Sequence, residues 1–205
     1  MREILRICAY TLWLFAIGTG IVFILNYENA SGAAGSTPEH WVSGTSIPLD
    51  PKHDTLIMFA HPRCPCTVAS VDELNRLLAR CDGNISTHVF FFRPKGSPED
   101  WTHTHLRQNV AAIPGVTVQD DVDDVLAQKF GAETSGYVLL YNPQGELLFR
   151  GGITGSRGHE GDNAGESSIA LLVAGQNASV TQTPVYGCSL VNVTNKSDSL
   201  QSRAQ

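Results

Sequence analysis

With 205 residues, 42% hydrophobic and 17% charged, the chain has the composition of a globular domain with extensions, which excludes wholesale disorder. Its 14 Lys and Arg against 20 Asp and Glu leave a net charge of −6. That balance lacks the basic footprint of nucleic-acid binding, so no nucleic-acid partner is expected.

The first element is apolar. From Ile7 to Leu25 no residue is charged, and Ile, Leu, Phe, Trp and Val dominate. A bilayer-spanning helix needs about 20 such residues, whereas the core of a cleaved signal usually has about 7–15. The length favours a retained anchor, although Ala30 to Ala34 offers the small residues that cleavage requires. Arg2 and Arg6 precede the span and Glu28 follows it. The positive-inside rule then places the N-terminus in the cytoplasm and everything after Tyr27 outside, which in a bacterium is the periplasm. Residues 1–27 are expected as a cytoplasmic tip and transmembrane anchor, and residues 28–46, rich in Ser, Gly, Ala and Thr, as a flexible tether. Residues 47–190 form the expected domain, and the polar residues 191–205 a disordered tail.

Within the domain, Thr55–Ala60 reads as a buried strand and Val68–Arg80 as a helix, with Val71, Leu74, Leu77 and Leu78 at helical spacing. Turn chemistry at Cys81-Asp82-Gly83-Asn84 ends the helix. A second strand, His88–Phe92, stops at Arg93-Pro94, and Glu99–Ala112 is expected as one helix ending near Ile113-Pro114-Gly115. Val116–Val118 is a short third strand, followed by a helix over Asp123–Phe130 with Gly131 as its C-cap. The run Asp120, Asp121, Asp123 and Asp124 reads as N-terminal capping of that helix; calcium-loop spacing is missing. Tyr137–Tyr141, the turn Asn142–Gly145 and Glu146–Arg150 make a β-hairpin. A Gly-rich loop, Gly151–Gly165, leads to a last helix at Ser168–Ala174. Strands alternating with helices imply an α/β architecture, with a largely parallel sheet ending in an antiparallel hairpin.

The chemistry concentrates at His61-Pro62-Arg63-Cys64-Pro65-Cys66, between the first strand and the next helix. Ligands collect at the carboxyl ends of such strands. A helix N-terminus offers unpaired N–H groups and a dipole that favour negative charge, so a thiolate there titrates below the free-cysteine value of about 8.5. Arg63 adds positive charge, and Pro65 stiffens the loop. The plainer reading is a pair of inert, half-buried cysteines. His159 in the Gly-rich loop is a candidate proton acceptor for Cys64, and Arg157 a candidate holder of a thiolate or anionic substrate; both also fit a solvated surface loop. Cys64, Cys66, His61 and His159 together would make a two-sulfur, two-nitrogen set suited to copper(I) or zinc. Of the remaining cysteines, Cys8 lies in the span as a packing residue. Cys188 either folds back to the site or pairs with Cys81. His103 and His105, two residues apart, point away from each other on a helix and read as surface residues.

The element order, Phe59–Cys64 and the hairpin Leu140–Leu147 resemble the thioredoxin-like superfamily over roughly Asp54 to Gly175. With its apolar N-terminus the chain looks like tethered thiol proteins of the bacterial envelope, and is similar to the thioredoxin-like proteins called RedB. The resemblance implies a thioredoxin-like sheet flanked by helices and thiol–disulfide oxidoreductase activity without a cofactor. It also implies an extracytoplasmic thiol or disulfide protein as partner. Cys64 would be the attacking thiolate, Cys66 its resolving partner and Cys188 a second resolver, with His159 or His61 managing the proton. Arg63, Ser135 and Arg157 would contact substrate. Two departures stand out. In the family's Cys-x-x-Cys register Thr67 takes the last position and Cys66 falls between, so a Cys64–Cys66 disulfide would close a tight, strained ring. Where the family carries a cis-proline facing the cysteines, this chain has Thr134-Ser135-Gly136. The family proline holds a substrate segment and keeps metal from the thiols, so its loss opens the copper or zinc reading.

Overall fold

A computed structural model of the chain describes residues 1–190. The expected tail at 191–205 lies outside the described residues. The chain divides into two compact units, one through Ala30 and one from Ser31 onward. The first is a single helix, α1 (Arg2–Asn29), of 28 residues with none buried. It is long and apolar enough to cross a membrane, and a signal sequence shares those properties.

The second unit is built on a five-stranded sheet. Strands β1 (Asp54–Ala60), β2 (Ile85–Arg93), β3 (Val116–Val122), β4 (Tyr137–Tyr141) and β5 (Leu147–Gly151) lie in the order β3-β2-β1-β4-β5. The first three are mutually parallel, and β4 runs antiparallel to both β1 and β5. Helix α2 (Cys66–Arg80) follows β1, α3 (His105–Ala111) and α4 (Val125–Phe130) flank β3, and α5 (Ala164–Val173) closes the domain. This is the thioredoxin-like arrangement: a mixed sheet with a helix starting directly after its central strand.

The strand sequences explain why both faces are covered. Side chains alternate across a strand, and β1 and β4 are apolar at nearly every position. Leu56, Met58, Val138 and Leu140 enter one core with Leu74 and Leu77 of α2 and Ile169 of α5. Ile57, Phe59, Leu139 and Tyr141 enter the other, with Phe130 of α4 and Phe90 and Phe92 of β2.

Three expectations change. The helix expected over Glu99–Ala112 is a 3-10 turn at Glu99–Thr102 followed by α3, which restarts at Thr104, whose hydroxyl accepts the Arg107 N–H at 3.3 Å. The third strand runs through part of the acidic run. Asp120 pairs with Arg107 at 2.6 Å and Arg93 at 3.2 Å, so it caps nothing. Asp121 caps α4 from the strand, accepting N–H groups of Leu126 (2.9 Å) and Ala127 (2.8 Å). Asp124, the N-cap residue, makes no side-chain cap bond.

The third change concerns the segment expected as a tether. From Gly32 it is packed along the domain. Gly35 N–H donates to the Gly131 carbonyl at 3.1 Å, and the Thr37 and Tyr137 hydroxyls lie 2.8 Å apart. Trp41 sets its ring edge-on to Phe130 and Tyr141, with centroids 5.4 and 5.3 Å away. Gly131 makes this possible: it holds φ at +69° at the end of α4, and a Cβ there would stand 2.4 Å from the Ser36 carbonyl oxygen. Small residues in this stretch serve close approach.

Candidate functional site

The turn between β1 and α2 is short and tied at each step. Cys64 N–H donates to the His61 carbonyl at 3.1 Å, and the Cys64 carbonyl accepts the Thr67 N–H at 3.2 Å. Helix α2 begins at Cys66 with Pro65 as its N-cap residue. Cys64 is thereby drawn inward to 2% exposure, while Cys66 is half-buried.

The partner of Cys64 comes from 124 positions away. The backbone N–H of Cys188 donates to Cys64 Sγ at 3.3 Å. All five cysteines are free thiols. Cys81 is buried in the core at the end of α2, so the alternative pairing of Cys188 with Cys81 is not the arrangement adopted.

Ser135 organises the floor of the site. Its Oγ accepts the His61 N–H at 2.7 Å and lies 2.6 Å from Thr67 Oγ1. Either hydroxyl can donate in this pair; with Ser135 donating, the Thr67 proton is directed to the Cys64 sulfur, a contact that lowers its titration. Ser135 and Thr67 are both fully buried, so this short chain works without competing water.

Burial opposes ionisation of Cys64, but contacts from the Cys188 thiol, the Thr67 hydroxyl and the backbone N–H groups of both residues outweigh it. The balance holds the Cys64 thiol below its ordinary value. Burial and the adjacent Cys64 push the Cys66 thiol up, against a contact from Arg157. Burial and the bond shared with Cys64 push the Cys188 thiol up more strongly. The three sulfurs therefore differ in direction: Cys64 ionises more readily than an ordinary thiol, Cys66 and Cys188 less readily.

Arg157 lies beside the thiols. It bonds the Gly187 carbonyl at 2.8 Å and contacts Cys66. Arg63 does not: its guanidinium lies over the Trp101 ring at 4.8 Å, turned toward the aromatic flank. His61 Nδ1 accepts the Arg63 N–H at 3.2 Å, and its ring stacks on Phe92 with centroids 5.7 Å apart. Burial and the Arg63 charge keep this imidazole neutral to lower pH than usual. His159 is exposed, its Nδ1 bonded to the Arg157 carbonyl at 2.8 Å, and no histidine is among the main causes of the Cys64 or Cys66 shift. The expected ligand set of Cys64, Cys66, His61 and His159 thus does not converge. Among the described residues no group of three or more His, Cys, Asp or Glu is arranged to hold a metal ion.

Two residues with a part in the site escaped the sequence reading. Thr67 was visible only as the occupant of a register position. Glu73 lies at the middle of α2. Its side chain is fully buried, pairs with Arg76 and accepts the Gly161 N–H at 2.6 Å. It ties down the loop that carries Arg157. A charged residue between Val71 and Leu74 on the buried stripe was the available signal. A surface cavity of about 470 Å³, lined by Leu78, Gly83, Ile85, Ile113 and Gly115 among others, includes none of these residues.

No protein-family model matches the sequence, and no curated protein matches it. Solved structures do match. A hypothetical protein of Sinorhizobium meliloti aligns with a TM-score of 0.58 at 16% identity, covering 80% of this chain and 96% of that one. A conserved protein of Geobacillus kaustophilus aligns with a TM-score of 0.56 at 20% identity, over 80% and 92%. A secreted disulfide oxidoreductase of Mycobacterium tuberculosis aligns with a TM-score of 0.43 at 14% identity, over 62% and 84%. Likeness at such identity bears on the fold.

Proposed function

We propose that the protein is a thiol–disulfide oxidoreductase in which Cys64 attacks and Cys188, rather than Cys66, resolves. The observation that carries this reading is the contact of Cys188 with Cys64 Sγ, 3.3 Å from its backbone N–H, together with the lowered titration of Cys64. In the first step the Cys64 thiolate attacks one sulfur of a partner disulfide. A Cys64–partner bond forms, the partner's S–S bond breaks, and the second partner sulfur leaves as a thiolate that takes a proton from water. Capping Cys64 removes its charge, which is one cause of the raised Cys188 titration. Cys188, exposed to water, then loses its proton to solvent and attacks Cys64 Sγ. The Cys64–Cys188 disulfide forms and the partner leaves as a dithiol. Two electrons have passed to the partner, and a dithiol donor reverses the sequence.

No bound cofactor is needed for this chemistry, and no step is routed through a metal because the two candidate nitrogen ligands, His61 and His159, are engaged elsewhere. The partner is proposed to be an extracytoplasmic thiol or disulfide protein. Helix α1 is proposed as a retained anchor with its N-terminus in the cytoplasm and the catalytic domain on the periplasmic side, on the charge asymmetry of Arg2 and Arg6 against Glu28. The narrower RedB-like reading is part of this proposal and rests on the anchor and the cysteine turn. Redox titration with mass-spectrometric mapping tests the exchange reading. A reversible Cys64–Cys188 disulfide is expected, and its absence at every potential would sink it.

A further inference from the structure

The exchange mechanism leaves one nucleophile at the site unused. Cys66 is the first residue of α2, where the helix N-terminus favours a thiolate. It is half-buried, whereas Cys64 is 2% exposed. Cys66 contacts the Cys64 thiol and the Arg157 side chain, and its charge bears on Cys188. Arg157 reaches both sides of this group. Its guanidinium touches Cys66 and donates to the Gly187 carbonyl at 2.8 Å, one residue before Cys188. Cys188 is pinned through its backbone: its carbonyl accepts the Ser135 N–H at 2.8 Å, and its N–H donates to Cys64 Sγ at 3.3 Å. One cation and these main-chain bonds gather three sulfurs, of which the mechanism employs two.

We propose that Cys66 is the third thiol of a relay: once the Cys64–Cys188 disulfide has formed, Cys66 attacks Cys188 Sγ, with Arg157 as the positioning residue for that attack. The Cys66–Cys188 bond forms, the Cys64–Cys188 bond breaks, Cys64 leaves as a thiolate, and the Cys66 proton passes to solvent. No electron is gained or lost. The oxidised pair now consists of the two more exposed sulfurs, and a dithiol donor reduces the protein there. The donor's thiols become a disulfide, and Cys66 and Cys188 return as thiols. The inference rests on the exchange reading, which supplies the Cys64–Cys188 bond.

Leaving-group chemistry selects this direction. The sulfur of lower titration leaves faster, and among the three that is Cys64. Attack of Cys66 on Cys64 Sγ would instead expel Cys188, whose titration is pushed up, and would close the tight ring between residues two apart. Timing follows from the same contacts. Cys64 raises the Cys66 titration through its charge and its bond. Capping Cys64 in the disulfide removes both and leaves the Arg157 contact, so Cys66 ionises more readily once there is a bond to attack.

The test follows the reduced full-length protein in detergent micelles after addition of one equivalent of oxidised glutathione. Samples are quenched in acid, blocked with N-ethylmaleimide and mapped by mass spectrometry. The Cys64–Cys188 bond is expected first and the Cys66–Cys188 bond after it, with maleimide on Cys64. The equilibrium ratio of the second bond to the first is expected to rise with pH between the Cys64 and Cys66 titrations, by up to about tenfold per unit, because it releases the sulfur that ionises more readily. Cys66→Ser is expected to stop at the Cys64–Cys188 bond. Arg157→Gln is expected to slow the second step relative to the first by about tenfold and to move its pH dependence up, and Arg157→Lys, which keeps the charge, to restore part of both. Cys64–Cys188 as the sole protein disulfide at every time and pH overturns the relay and keeps the exchange reading. A Cys64–Cys66 bond in place of Cys66–Cys188 overturns the relay as well. A second step of wild-type rate and pH dependence in Arg157→Gln overturns the part given to Arg157. No disulfide within the protein at all defeats the exchange reading, and the relay with it.

Discussion

The hydroxyls of Thr67 and Ser135 lie 2.6 Å apart, joining the first turn of α2 to the backbone just before β4. Both are fully buried, so two distant segments meet in one hydrogen-bonded unit, and its Thr67 hydroxyl favours the ionised Cys64 sulfur.

Thr67→Val removes the hydroxyl that favours the Cys64 thiolate while keeping shape. The Cys64 titration, followed by the pH dependence of its alkylation rate, is expected to move up toward the ordinary thiol value. Ser135→Ala leaves the His61 N–H without its acceptor and moves the titration the same way by less. A Cys64 titration unmoved in both variants would remove the donor chain from the account.

Stability of the reduced protein is expected to depend on pH with a defined sign. Cys64 titrates lower in the folded state than unfolded, so it stabilises the fold above the unfolded thiol value and loses that contribution as pH falls through its own lowered value. Cys66, Cys81 and Cys188 titrate higher when folded, so their contributions are complete below the unfolded value and vanish as pH rises. The thiol contribution therefore peaks near the unfolded value of about 8.5. A urea-midpoint series is expected to show wild type gaining on Cys64→Ser from neutrality toward that pH, and both declining above it. A gap between them that narrows on approach to that pH would contradict the lowered Cys64 titration.

Glu73 links helix α2 to the loop bearing Arg157. Glu73→Leu leaves the Gly161 N–H without its acceptor and Arg76 with Glu160 in place of two carboxylates, and is expected to cost about 1–3 kcal/mol. Amide exchange at Gly161 is expected to accelerate, with exchange in β1 and β4 following only the global loss. Glu73→Gln, which keeps an acceptor for Gly161, retains most of the loop's protection. Equal exchange at Gly161 in all three proteins would show that Glu73 does not hold the loop.

The strand and helix order was legible because apolar runs and periodicity are local signals. Leu56 to Ala60 and Val138 to Tyr141 read as buried strands for the same reason that they are buried. The helix break at Thr104 was missed because capping competes with continuation over a few residues. Residues 32–41 were read as a tether because small residues suit flexibility and close packing equally, and composition does not separate the two.

At the site, the sequence by itself determined where a thiolate would be favoured: Cys64 at a strand end, ahead of an amphipathic helix. Only the tertiary structure decided its company. Cys188 beside it, Thr67 and Ser135 beneath it, Arg157 on its flank and both histidines turned elsewhere are contacts between residues up to 124 positions apart. Local physics fixes the direction of a turn, but which distant backbone reaches it depends on how the strands pair and where the chain returns.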